Sequence, residues 1–106
     1  MAKVENVTIE DLKQGLADGT IILVDVREPN EFKAGRIPGA IPNPLQKFDP
    51  QAIPSEPGKR IVLACLAGGR SLKALELAQA AGRSDVTAHY AGGFSGWAKA
   101  GEKVEV

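Results

Sequence analysis

Cys65 is the only cysteine of the chain, and it sits in the stretch IVLACLAGGRS, residues 61–71. A thiol acts as a nucleophile through its thiolate, so the first question is what near Cys65 favours an anion. Residues 61–64 read as a buried strand, and Ser71 opens a helical pattern. Residues 65–70 are then a strand-to-helix turn. Such a turn points backbone N–H groups inward, and the helix that follows adds its positive N-terminal end. Gly68 and Gly69 let the backbone curl without Cβ clashes. Arg70 brings a permanent positive charge and several donors. The pattern assigns Cys65 as nucleophile. Leu66, Ala67, Gly68, Gly69, Arg70 and Ser71 form the cradle around it and around any anion that approaches it. A free cysteine at a strand end is ordinarily a small buried hydrophobe. What points to chemistry is its conjunction with the glycine pair, the arginine at fixed spacing and the immediate helix.

The surrounding elements must place that loop. TIEDLKQGLADG starts with Thr8 as N-cap, carries Ile9, Leu12 and Leu16 on one face and stops at Asp18-Gly19. Residues 21–26, IILVDV, run apolar without alternation, as a strand buried on both faces does. A short helix ends at Gly35, and the proline-dense stretch 37–44 has room only for a very short strand. DPQAIPSEPGK holds a helical fragment and then a turn at Pro57-Gly58. In SLKALELAQAAG, Leu72, Ala74, Leu75 and Ala78 face inward, Lys73, Glu76 and Gln79 face water, and Gly82 ends the helix. VTAHYAGG gives a last strand and FSGWAKAG a last short helix. Alternating strands and helices with continuous apolar strands predict an α/β fold. Its central sheet is mainly parallel, with helices on both faces. Ligands of such sheets bind outside the carboxyl ends of the strands, where Cys65 lies.

Composition excludes several classes. The chain has 106 residues, near the commonest size of one domain, and 43% are hydrophobic, enough for a core. Residues 1–106 therefore read as one domain. Thirteen basic residues balance thirteen acidic ones, which gives no reason to expect nucleic acid or an anionic membrane as partner. A single cysteine closes no internal disulfide, and the N-terminal residues carry neither a long apolar run nor a cleavage site. These features favour a cytoplasmic protein.

The pattern Cys65-x-x-Gly68-x-Arg70-Ser71 resembles the active-site loop of the rhodanese family of sulfurtransferases. Three other segments agree in order: ILVDVREPNEF at 22–32, GRIPGAIPNP at 35–44 and AGGFSGW at 91–97. The resemblance spans nearly the whole chain and implies a single-domain, rhodanese-like fold. It also implies a mechanism without metal or organic cofactor. Cys65 takes a sulfane sulfur, as from thiosulfate, becomes a persulfide and hands the sulfur to cyanide, a small thiol or a protein thiol. Many thiosulfate-using members carry a basic residue just after the cysteine, where this chain has Leu66 and Ala67. That departure places a persulfide donor beside thiosulfate. Arg36 stands where members often have histidine, at a position read as peripheral.

Two rivals share the fold. Phosphatases and arsenate reductases resemble this chain, but place five residues between cysteine and arginine. Leu66, Ala67, Gly68 and Gly69 make four here, and a tighter cradle suits one sulfur atom better than a tetrahedral oxyanion. A non-catalytic binding module is the other rival; such modules commonly lose the cysteine. Asp25 and Arg27 lie at a strand end on the site's edge. They read as structural support of the site, Arg27 pairing with a nearby carboxylate such as Asp25 or Glu31, with substrate binding by Arg27 as the other possibility. His89, the only histidine, lies in a strand and reads as a packing or surface residue rather than a dyad partner. Phe94 and Trp97 fasten the last helix.

Overall fold

The computed structural model describes residues 3–106. Five strands form one sheet: β1 (Glu5–Asn6), β2 (Ile21–Asp25), β3 (Ile41–Pro42), β4 (Arg60–Ala64) and β5 (Ala88–Tyr90). Their spatial order is β1-β5-β4-β2-β3, and every pairing is parallel. β2 and β4 form the centre, in register from Ile21 opposite Arg60 to Asp25 opposite Ala64. From β2 the chain moves outward to β3, whereas from β4 it moves the other way to β5. The carboxyl ends of β2 and β4 therefore flank the point where the winding reverses, the place where open α/β sheets hold ligands.

Four α-helices cover the sheet: α1 (Ile9–Asp18), α2 (Pro29–Ala34), α3 (Gly69–Ala80) and α4 (Gly93–Lys99). The helix starts and stops follow local chemistry. Thr8 Oγ1 accepts the Asp11 N–H, and Gly19 ends α1 in the left-handed region at φ 78°. Side chains of successive strand residues go to opposite faces, and two cores result. One joins Ile22, Val24, Ile61, Leu63 and Cys65 to Ala74, Leu75 and Ala78 of α3. The other joins Leu23, Val62, Ala64, Ala88 and Tyr90 to Leu12 of α1 and Trp97 of α4. The expected α/β architecture with both faces covered is present.

Three particulars differ from the sequence reading. Leu72 does not face inward: it is 37% exposed. The buried stripe of α3 runs instead through Ser71, Ala74, Leu75 and Ala78, and Leu72 falls to one side of it. β1, only two residues long, was not anticipated. Nor was the C-terminal segment, where Arg36 and Glu105 form an antiparallel bridge and Trp97 Nε1–H donates to Lys103 O at 2.7 Å. Among the described residues no helix is long and apolar enough to cross a membrane.

Candidate active site

β4 delivers Cys65 to the carboxyl edge of the sheet, on the face covered by α3, with the residue only 2% exposed. The Gly68 N–H donates to its sulfur at 3.0 Å, and the Ser71 hydroxyl oxygen lies 3.7 Å away. Burial pushes the Cys65 thiol up. The Ser71 amide and hydroxyl and the amides of Gly68 and Ala67 outweigh it, so the thiol sits below its ordinary value. The cradle stabilises the anion with fixed dipoles that need no reorganisation.

Two glycines make this geometry, and they are not the adjacent pair of the sequence motif. Gly68 has φ +101°, and a Cβ on it would come within 2.8 Å of Ala91 O. Gly69 is the first residue of α3 with open space around it; it is not what bends the loop. The second required glycine is Gly93, at φ +63°, where a Cβ would meet Leu66 O at 2.4 Å and Cys65 O at 2.5 Å. That close approach lets the first turn of α4 hold the outer side of the loop. Phe94 N–H donates to Cys65 O at 2.8 Å and Ser95 N–H to Leu66 O at 3.1 Å. With its carbonyls engaged there, the loop keeps its N–H groups for the sulfur.

Arg70 is half-buried and already paired. Its guanidinium makes a two-pronged contact with Glu31 of α2, at 2.7 and 3.0 Å. The Arg70 hydrogen bonds hold the Glu31 carboxyl down at about 2, against the cost of its partial burial, with help from the Glu28 N–H. The same contact raises Arg70 further, and the neighbouring Cys65 charge adds to that rise. Arg70 thus ties the cysteine loop to α2 rather than projecting freely at the mouth. Leu66 is 42% exposed and Ala67 and Gly69 are exposed as well, so the rim is apolar and small.

Arg27 is buried and folds back on Asp25: Nε and Nη2 contact both carboxylate oxygens at 2.8–3.1 Å. Nη2 also donates to Gly35 O at 2.7 Å, and the Phe94 ring lies 4.3 Å from the guanidinium carbon. These contacts leave Arg27 inside the wall between β2, α2 and α4. Arg36, paired with Glu105 and stacked on Phe32, lies at the periphery.

One residue that the sequence reads as packing or surface, rather than as a dyad partner, lies near the sulfur. His89 is buried, and its Nδ1 lies 2.8 Å from Ser71 Oγ, the same hydroxyl that faces Cys65. His89 does not touch the sulfur, so there is no direct dyad; the contact runs through Ser71. Strand parity held the signal. Ala88 and Tyr90 face α1 and α4, so His89 must face α3, whose first turn carries Ser71.

A buried cysteine whose anion is favoured by a loop of amides, at the winding reversal of a parallel sheet, defines a class of thiolate-cradling α/β domains. Comparison narrows it. A rhodanese-like domain model matches residues 8–100. A human thiosulfate:glutathione sulfurtransferase is 31% identical over 112 residues, spanning 92% of this chain and 96% of its own length. An uncharacterized Synechocystis protein is 40% identical over 98 residues, 91% of this chain, which spans only 54% of that protein. Among solved structures, the human single-domain sulfurtransferase TSTD1 is similar at a TM-score of 0.75 and 30% identity, covering 89% of this chain and 95% of its own. The chain belongs to the rhodanese-like family of sulfurtransferases.

Proposed function

We propose that this chain moves a sulfane sulfur from thiosulfate or a persulfide donor to a thiophilic acceptor through a persulfide on Cys65. The observation that carries this reading is the buried sulfur itself, met by the Gly68 N–H at 3.0 Å and placed so that loop amides and Ser71 favour its anion. The thiolate attacks the outer sulfur of thiosulfate, the sulfur–sulfur bond breaks, and sulfite leaves with the electron pair. Cys65 is then a persulfide anion held by the same donors. Cyanide or a thiolate attacks the terminal sulfur and departs as thiocyanate or a new persulfide, regenerating the Cys65 thiolate. Each step conserves charge, and the only protons involved are those lost beforehand by Cys65 and by the acceptor. The family relationship supports sulfur transfer in general, and the thiosulfate:glutathione sulfurtransferases among the relatives support thiosulfate and a small thiol as one pairing.

The mouth favours a second donor class. Both arginines near it, Arg70 and Arg27, are engaged by carboxylates, and the exposed rim is Leu66, Ala67 and Gly69. A dianion gains little there, whereas a persulfide on a small or protein thiol loses little. The test is intact mass after incubation with each donor and removal of the excess. A gain of one sulfur atom, reversed by cyanide and absent in Cys65→Ser, is expected. No uptake from thiosulfate or from any small persulfide overturns the reading and leaves a binding module.

A further inference from the structure

The Ser71 hydroxyl has one proton and three neighbours. They are Gly68 O at 3.1 Å, His89 Nδ1 at 2.8 Å and Cys65 Sγ at 3.7 Å. A carbonyl oxygen only accepts, and Gly68 O already takes the Leu72 N–H at 3.1 Å. If the Ser71 proton pointed to His89, two oxygens would face each other at 3.1 Å with no proton between them, and the sulfur, once ionised and no longer able to donate to Ser71 Oγ, would face a lone pair. Both conflicts vanish if the imidazole carries its proton on Nδ1. Ser71 then accepts from His89 and its own proton is free, resting on Gly68 O while Cys65 is a thiol and turning to the sulfur when Cys65 is an anion. Burial holds the His89 imidazole below its ordinary value, which keeps it neutral and makes the choice of ring nitrogen meaningful.

We propose that His89 is a positioning residue: its Nδ1–H donates to Ser71 Oγ and so reserves the single Ser71 proton for the Cys65 sulfur. His89 moves no proton to or from the substrate. It fixes the direction of a hydroxyl that steadies the thiolate and, on the sulfurtransfer reading on which its catalytic value rests, the persulfide formed from it. The same arrangement deprives His89 of any role as general base toward Cys65, since its nearer nitrogen has no free lone pair.

The chain has one histidine, so two-bond proton–nitrogen correlations of the uniformly nitrogen-15-labelled, reduced protein report this ring without assignment. The expected spectrum is that of the neutral Nδ1–H tautomer; a neutral Nε2–H tautomer overturns the proposal. Variants give the second arm, read by the pH midpoint of Cys65 alkylation, which does not depend on sulfur transfer. His89→Leu should raise the midpoint by about 0.5–1 unit. At a pH well below both midpoints this slows alkylation by about three- to tenfold. His89→Asn, whose amide nitrogen occupies the place of Nδ1, should stay within about 0.3 unit of wild type. In a Ser71→Ala background, His89→Leu should add nothing. An equal shift with and without Ser71, or no shift in His89→Leu, overturns the proposal. Intact-mass measurement of sulfur uptake by the wild type tests the sulfurtransfer reading separately, so either idea fails without the other.

Discussion

The turns that leave β2 and β4 lie side by side at the same edge of the sheet, and both begin with a buried group capable of negative charge. After β2 that group is Asp25, and its countercharge arrives two residues later as Arg27, aligned along the carboxylate and sealed by Gly35 O and the Phe94 ring. After β4 it is Cys65, and among the described residues no cation is hydrogen-bonded to it. Its stabilisation comes from amides and one hydroxyl, while Arg70 turns away to Glu31. Bonded at both oxygens and sealed from solvent, the Asp25 carboxylate is held as part of the wall. Partial charges on a rigid backbone leave the Cys65 anion reactive, because they stabilise charge without neutralising it.

The contrast breaks most sharply at the two anions themselves. Asp25→Ala strands the buried Arg27 charge and should destabilise the protein by about 3–5 kcal/mol, seen in denaturant unfolding. Cys65→Ser should change stability by less than about 1 kcal/mol, yet abolish sulfur uptake by intact mass. If the two variants were equally unstable and equally active, the two turns would not differ in kind.

Gly93→Ala sharpens the claim that the loop is shaped from outside. The added methyl meets the Cys65 and Leu66 carbonyls, which must shift, and alkylation of Cys65 at pH 7 should slow by about tenfold. Arg70→Ala removes the tie to α2 while leaving the amides in place. Turnover with thiosulfate should fall by about tenfold, with an unchanged circular dichroism spectrum. Wild-type turnover would reduce the Arg70–Glu31 pair to a surface ornament.

Smaller effects follow from titration. The folded Cys65 thiol sits below its ordinary value, so alkylation should rise through a midpoint below the roughly 8.5 of a free thiol and level off above it. Glu31 is depressed from 4.5 to about 2 in the folded protein. Its contribution is therefore complete above pH 4.5 and lost as pH falls towards 2. Glu31→Gln should cost about 1 kcal/mol at neutral pH, given the partial exposure of the pair. The gap from wild type should close in acid. Smallest of all is Gly69→Ala, which enters open space in a helical backbone and should leave alkylation unchanged while adding up to about 1 kcal/mol of stability.

Much of this was legible in the sequence because it depended on neighbours along the chain. Unbroken apolar runs marked β2 and β4, and the order strand, cysteine, glycine, helix placed Cys65 at a carboxyl edge. Illegible was whatever joined distant segments. The glycine that shapes the loop from outside is 28 residues beyond the cysteine (Gly93 against Cys65), and only folding brings α4 under it. Glu31 and Arg70 lie on different helices, and neither residue type names its partner. β1 is two residues long, and a strand so short has no periodicity to read. Leu72 was misplaced because a one-residue error around a helix, roughly 100° of rotation, moves a side chain from core to rim.

The hold of α4 on the cysteine loop also sets an order of events during synthesis. The chain emerges from its N-terminal end, so Cys65 leaves the ribosome well before Phe94 and Ser95, whose amides take the Cys65 and Leu66 carbonyls. Until they dock, the loop lacks its outer support and the amides have no reason to converge on the sulfur. The nascent cysteine is then an ordinary thiol, mostly protonated at neutral pH and slow towards oxidants. The surroundings that favour the Cys65 anion are therefore assembled only after Phe94 and Ser95 have been made and have docked, so on the proposed reading the nascent protein is shielded from the chemistry of the folded one.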